Sequence, residues 1–121
     1  MSDPNFILLY VASPPESAVF YTELLGKAPL ETSPTFAMFA LDSGVMLGLW
    51  AAHTVQPAAT PAGGAEVAFA VDRAASVNAM YAAWQAKRLR IAQAPSEMDF
   101  GYTFVALDPD GHRLRVFAPK S

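Results

Sequence analysis

The sequence predicts an α+β domain of two βαβββ modules, and three observations carry that prediction. A strand, a helix and three further strands can be read in that order twice along the chain. A stretch rich in Ala, Pro, Thr and Gly at about residues 52–64 separates the two runs. In the strands that open and close each run, one of the two alternating sets of side chains is apolar throughout. Module 1 is placed at about 4–51 and module 2 at about 65–119, on element order and not on identity between the halves.

Phe6 to Val11 is an unbroken apolar run ending near turn formers, as expected of a strand buried on both faces. Ser13-Pro14-Pro15-Glu16 follows as a capping box, with Ser13 at N-cap, Pro14 at N1 and Glu16 at N3. The helix carries Val19, Phe20, Leu24 and Leu25 at helical spacing and stops at Gly26. Short strands are expected at Ala28–Glu31, Thr35–Leu41 and Val45–Trp50, the last two joined by a turn at Asp42-Ser43-Gly44.

After the linker the pattern returns. Glu66–Val71 reads as a strand, and Asp72 as the N-cap of a helix with Val77, Met80, Tyr81 and Trp84 on one face. Lys87 and Arg88 suit the negative end of that helix. Strands near Arg90–Gln93, Tyr102–Leu107 and Arg113–Phe117 complete the module, and Gln93–Tyr102 is expected to form a loop over a cleft mouth.

Composition narrows the function classes. The 121 residues are 53% hydrophobic and 16% charged, enough for one ordinary core. A net charge of −3 and a pI near 5.2 give no electrostatic reason to expect nucleic acid or an anionic membrane as partner. Cysteine is absent, which removes disulfides, thiolate metal sites and thiol nucleophiles. Met1-Ser2-Asp3-Pro4 carries no basic leader and no apolar run reaches membrane-spanning length, so a cytoplasmic protein is expected.

The run Asp108-Pro109-Asp110-Gly111-His112-Arg113-Leu114-Arg115-Val116-Phe117 is the most specific in the chain. Pro109 fixes φ at the second position of a type I turn, and Asp108 and Gly111 suit its ends. A strand follows with Leu114 and Val116 on one side and Arg113, Arg115 and Phe117 on the other. This ending, the first-helix pattern Ser17 to Gly26 and the element order resemble the vicinal-oxygen-chelate superfamily of glyoxalases, bleomycin resistance proteins and extradiol dioxygenases. Phe100-Gly101-Tyr102-Thr103-Phe104 and Val45-Met46-Leu47-Gly48-Leu49-Trp50 are similar to the phenazine-antibiotic resistance branch. The resemblance implies a curved mixed sheet around a cleft, a homodimer, and a metal-free pocket for a planar aromatic compound.

In the metal enzymes of that superfamily the ligands lie on the first and last strands of each module. The matching positions here are Phe6, Gly48, Glu66 and Arg115. Catalytic zinc usually takes three protein ligands, and hard divalent ions need several oxygen donors. Arginine has five donors and no acceptor, so only Glu66 qualifies. His53 and His112 read as linker and turn residues. No metal and no cofactor are expected.

Strand alternation divides the remaining residues. Ile7, Leu9, Val11, Leu47 and Leu49, with Val67, Phe69, Val71, Leu114 and Val116, share the parity expected beneath the helices. The opposite parity holds Phe6, Leu8, Tyr10, Met46, Gly48, Trp50, Glu66, Arg115 and Phe117, the aromatic-rich set expected of a small-molecule site. Trp50 leads that set as a stacking platform, with a core or dimer-interface role as its rival. Gly48 is read as leaving room for a flat ring, or else as a bulge or a close helix contact. The resemblance implies that Glu66 and Arg115 sit on neighbouring strands, so they are expected to pair, either with Arg115 also donating to a ligand or as a solvated pair at the cleft edge. Phe36 and Tyr102 complete the expected ligand-binding residues, Phe36 by reaching the partner's pocket. The rival functions are a glyoxalase-like lyase or extradiol-type dioxygenase, and a metal-free enzyme with Glu66 or Asp99 as base.

Overall fold

In the computed structural model, which describes residues 3–120, eight strands and two helices follow one another in the expected order. Met1, Ser2 and Ser121 lie outside the described residues, and with them half of the Met1–Pro4 segment on which the leader expectation rests. The chain divides into two units, Met1–Pro61 and Ala62–Ser121, and each has its own four-stranded mixed sheet. Among the described residues no helix is long and apolar enough to cross a membrane.

In the first unit, β1 (Phe6–Val11) runs parallel to β4 (Met46–Ala51), which pairs antiparallel with β3 (Phe36–Ala40) and through it with the two-residue β2 (Glu31–Thr32). The sheet order is β1-β4-β3-β2. The intervening helix α1 (Pro14–Leu25) begins as its chemistry dictates: Ser13 Oγ accepts from the Glu16 N–H at 3.3 Å, and Gly26 closes it at φ +70°. Its buried face is Pro14, Ser17, Ala18 and Tyr21, not the predicted stripe, and Val19 is 62% exposed. Small residues at 17 and 18 let the helix approach the sheet, while Tyr21 reaches Phe39 edge-on at 6.5 Å. Ala37, Phe39, Leu47, Leu49 and Val11 complete this core.

Strand β1 corrects one expectation. As the outermost strand it leaves Phe6, Ile7 and Leu8 exposed, so its apolar run is not buried on both faces and Ile7 does not join the core.

The second unit repeats the arrangement. Strand β5 (Glu66–Ala70) runs parallel to β8 (Arg113–Pro119), followed outward by β7 (Gly101–Leu107) and β6 (Arg90–Met98). Helix α2 (Ala74–Ala86) buries Val77 and Trp84, with Met80 and Tyr81 half-buried. Trp84 meets Phe69 at 5.4 Å and Phe104 at 5.3 Å, both edge-to-face. Arg73, not Asp72, occupies the N-cap; Asp72 Oδ1 instead accepts from the Ser76 hydroxyl at 2.7 Å. Val67, Phe69 and Val71 are half-buried rather than core.

The expected cleft-mouth loop is not a loop. Strand β6 continues through Pro95 to Met98, and only Asp99-Phe100 turns the chain into β7. Register shifts around Gln93 accommodate Pro95, which has no N–H to donate, on an edge strand where none is needed. The closing turn forms as predicted. Gly111 N–H donates to the Asp108 carbonyl at 3.0 Å, and Asp108 Oδ1 accepts from the N–H groups of Asp110 and His112 at 2.9 and 2.8 Å. Asp108 is buried and Gly111 sits at φ +88°.

Candidate functional site

Each sheet has one face under its helix and one open face, and strand register decides which residue lies where. In the first sheet Phe6 pairs with Met46, Leu8 with Gly48, and Tyr10 with Trp50, while Trp50 also pairs with Phe36. Partners in register share a face. Phe6, Leu8, Tyr10, Phe36, Met46 and Trp50 therefore lie together on the open side, around Gly48. Phe6 and Leu8 are 45% and 46% exposed, and the other four are half-buried. Tyr10 meets the Trp50 ring edge-on at 6.3 Å and 75°. This face is apolar, aromatic and partly wet.

Gly48 does not leave the space expected of it. A Cβ there would meet Leu8 Cδ2 at 2.7 Å, Phe36 Cζ at 3.0 Å and Phe6 Cε1 at 3.1 Å. Three side chains of the same face lean over the glycine and fill its place. They are flexible ends, not backbone.

The second sheet's open face is polar. Register puts Glu66 beside Arg113, Val105 beside Arg115, and Thr103 beside Phe117 on this side. Arg115 Nε donates to Glu66 Oε1 at 2.9 Å and to Oε2 at 3.2 Å, and its Nη2 donates to Oε2 at 3.0 Å. Its Nη1 donates to Thr103 Oγ1 at 3.2 Å and Gln93 Oε1 at 3.4 Å. The Phe100 ring lies 5.6 Å from the guanidinium carbon and meets Phe117 edge-on at 5.9 Å. The Arg115 and Glu66 side chains are 17% and 30% exposed. These hydrogen bonds, more than the bare charge of Arg115, hold the Glu66 carboxyl below its usual pKa.

A hollow of about 340 Å³ opens beside this pair, lined by Ala92, Gln93, Met98, Val105, Arg113 and Arg115. Gln93, Thr103, Phe100 and Arg113 are not among the ligand-binding residues expected from the sequence. The alternation of β8 already puts Arg113 on the side of Arg115, and the same count along β7 reaches Thr103; Gln93 sits at a register shift that no alternation reveals.

Tyr102 is a correction. It shares the parity of Phe104, on the helix side, and its hydroxyl donates to Asn78 Oδ1 of α2 at 2.8 Å. Asp99 lies in the exposed β6–β7 turn.

The four positions matching the superfamily's metal ligands do not fit a metal ion. Phe6 and Gly48 offer no donor atom, Arg115 offers only donors of hydrogen bonds, and both Glu66 oxygens already accept from Arg115. No group of three or more His, Cys, Asp or Glu that could hold a metal occurs among the described residues.

A family model described as the Glyoxalase/Bleomycin resistance protein/Dioxygenase superfamily matches residues 4–116. The chain is similar to the phenazine antibiotic resistance protein EhpR of Enterobacter agglomerans, 26% identical over 116 residues that span 93% of this chain and 89% of that protein. It is also similar to protein ATC0852 from Agrobacterium tumefaciens, a solution NMR structure, with 49% identity, a TM-score of 0.89 and both chains covered 100%. Lactoylglutathione lyase from Agrobacterium tumefaciens matches with a TM-score of 0.78 over 98% of this chain and 94% of that one. At 18% identity, that last likeness shows the fold alone.

Proposed function

We propose, for a chain that belongs to the Glyoxalase/Bleomycin resistance protein/Dioxygenase superfamily, that it binds a hydrophobic, planar aromatic small molecule without a metal ion and protects by sequestering it. The observation that carries this reading is the open face of the first sheet, where aromatic and aliphatic side chains surround Trp50 and remain partly in water. A flat ring stacked on Trp50 gains about 0.5–1.5 kcal/mol beyond the area it buries. Displacing Leu8, Phe36 and Phe6 from over Gly48 requires only rotations of side-chain ends. The similarity to a phenazine resistance protein supports a tricyclic aromatic as the first probe.

The test is titration with phenazine while following tryptophan emission. Saturable quenching that disappears in Trp50→Phe supports the reading, and unchanged emission up to the solubility limit of phenazine overturns it. Tolerance of a phenazine-sensitive host expressing the chain tests the sequestration role.

A lyase or dioxygenase would need a donor set that these residues do not supply; stoichiometric Ni, Zn, Fe or Mn in the purified protein would overturn that argument. Metal-free base chemistry at Glu66 is disfavoured because a carboxylate held below its usual pKa by Arg115 is a weaker base. A homodimer belongs to the same proposal: β1 is an outermost strand with three large apolar side chains exposed, which a second copy would cover. Sedimentation of the protein as a monomer at micromolar concentration would count against it.

A further inference from the structure

We infer that the hollow on the second sheet receives an organic anion, a carboxylate carried on an apolar body, and that Arg113 is the residue that recognises it. The inference rests on the small-molecule reading above and adds the charge of the ligand.

The first reason is the distribution of charge. The chain as a whole carries −3. Yet register sets Arg90 beside Leu107, Leu107 beside Arg113, and Arg113 two residues from Arg115, so three arginines share this open face with one carboxylate, Glu66. An acidic protein that gathers positive charge at a hollow concentrates anions there.

The second reason is that these arginines are not equivalent. Arg90 Nη2 donates to the Asp108 carbonyl at 2.8 Å. Arg115 is held by Glu66, Thr103 and Gln93, which use four of its five N–H groups. Gln93 is itself fixed, since its Nε2 lies 3.4 Å from both Ser96 Oγ and Met98 Sδ, leaving Oε1 toward Arg115. The Arg113 side chain forms no hydrogen bond and no ion pair among the described residues, although Arg113 is the in-register neighbour of Glu66. Glu66 turns diagonally to Arg115 instead. The hollow thus holds one exposed guanidinium whose planar fork is available, and a carboxylate matches that fork in two parallel hydrogen bonds.

The third reason is the remainder of the lining. Ala92 and Met98 supply an apolar edge beside the guanidinium groups, against which the hydrocarbon part of an aromatic acid can lie. Arg115 then serves as a positioning residue whose own charge is already balanced by Glu66.

The test compares 2-naphthoate with its neutral isostere 2-naphthamide, followed by NMR at the Met98 methyl and the Arg113 Nε–H. The carboxylate is expected to bind at least about tenfold more tightly and to lose that advantage as salt is raised. Arg113→Gln should remove the preference, and Arg113→Lys should keep part of it. Equal affinity for the two compounds, or a preference that survives in Arg113→Gln, overturns the inference. These resonances belong to the second sheet and phenazine quenching reports Trp50 on the first, so failure here is distinguishable from failure of the binding reading.

Discussion

Arg115 grips both carboxylate oxygens of Glu66, at 2.9 Å through Nε and 3.0 Å through Nη2, although the residue opposite Glu66 in the strand ladder is Arg113. The diagonal choice follows from support: Arg115 has Thr103, Gln93 and the Phe100 ring around it, and Arg113 has none of these. A guanidinium already ordered by neighbours loses less freedom on pairing.

This pair sets the acid limb of stability. Arg115 lowers the folded-state pKa of Glu66 from 4.5, so the stabilisation is complete above about pH 4.5 and is lost as pH falls through the lowered value. Glu66→Gln should cost about 0.5–1 kcal/mol near neutral pH, discounted for partial exposure, and flatten the fall in Tm on acidification. Parallel Tm curves for the two proteins below pH ~4.5 would show the pair to be energetically silent.

The two tryptophans should separate cleanly. Trp84 is 4% exposed between α2 and its sheet, so Trp84→Ala should cost about 3–5 kcal/mol in denaturant unfolding. Trp50→Phe should cost about 1 kcal/mol or less while removing the ligand-sensitive emission. A core-like loss at position 50 would argue that Trp50 is structural.

Glycines 48 and 101 should respond oppositely to alanine. At Gly48 the new methyl meets movable ends of Leu8, Phe36 and Phe6, so Gly48→Ala should fold with a loss of about 1–2 kcal/mol. At Gly101 it collides with the Ala118 carbonyl of the neighbouring strand, and φ is +148°. Gly101→Ala should lose more than about 3 kcal/mol or fail to fold, as thermal unfolding would reveal.

Tyr102→Phe removes the hydroxyl that donates to Asn78 and should lower stability by about 0.5–1.5 kcal/mol. Ligand affinity should not change, because the ring faces α2. A clear affinity loss would place Tyr102 back on the binding side.

Asp108→Ala should cost about 2–4 kcal/mol, because its buried carboxylate accepts two backbone N–H groups of the turn. Chemical denaturation measures this directly.

Much of the fold was legible because its signals are local. Ser13 and Gly26 bound α1 through hydrogen bonds and a φ that neighbouring residues alone determine. The alternation in β8 was legible because a one-residue slip would turn the buried Leu114 and Val116 to the other face. The buried face of α1 was not, since Ser17 and Ala18 carry little hydrophobic signal and are covered only because a sheet lies close. Strand β6 was hidden by Pro95, Glu97 and Asp99, which read as loop formers until an edge position and a register shift make Pro95 harmless. In the site, the Glu66–Arg115 pair followed from the superfamily arrangement that the chain resembles, since alternation alone leaves Arg113 equally eligible. Alternation already sets Arg113 on the side of Arg115, but spacing does not show that its guanidinium lacks a partner there. The filling of the space at Gly48 depends on where three side-chain ends settle, which spacing does not encode.

The outer position of β1 carries a cost beyond folding energy. Phe-Ile-Leu-Leu-Tyr-Val has no charge and no proline and lies at the edge of its sheet, a combination that favours fibril-forming segments. Asp3 and Pro4 lie just upstream, a charge and a proline that limit strand extension in that direction. Substitutions that enlarge this exposed apolar border are therefore expected to promote aggregation independently of any loss of folding stability.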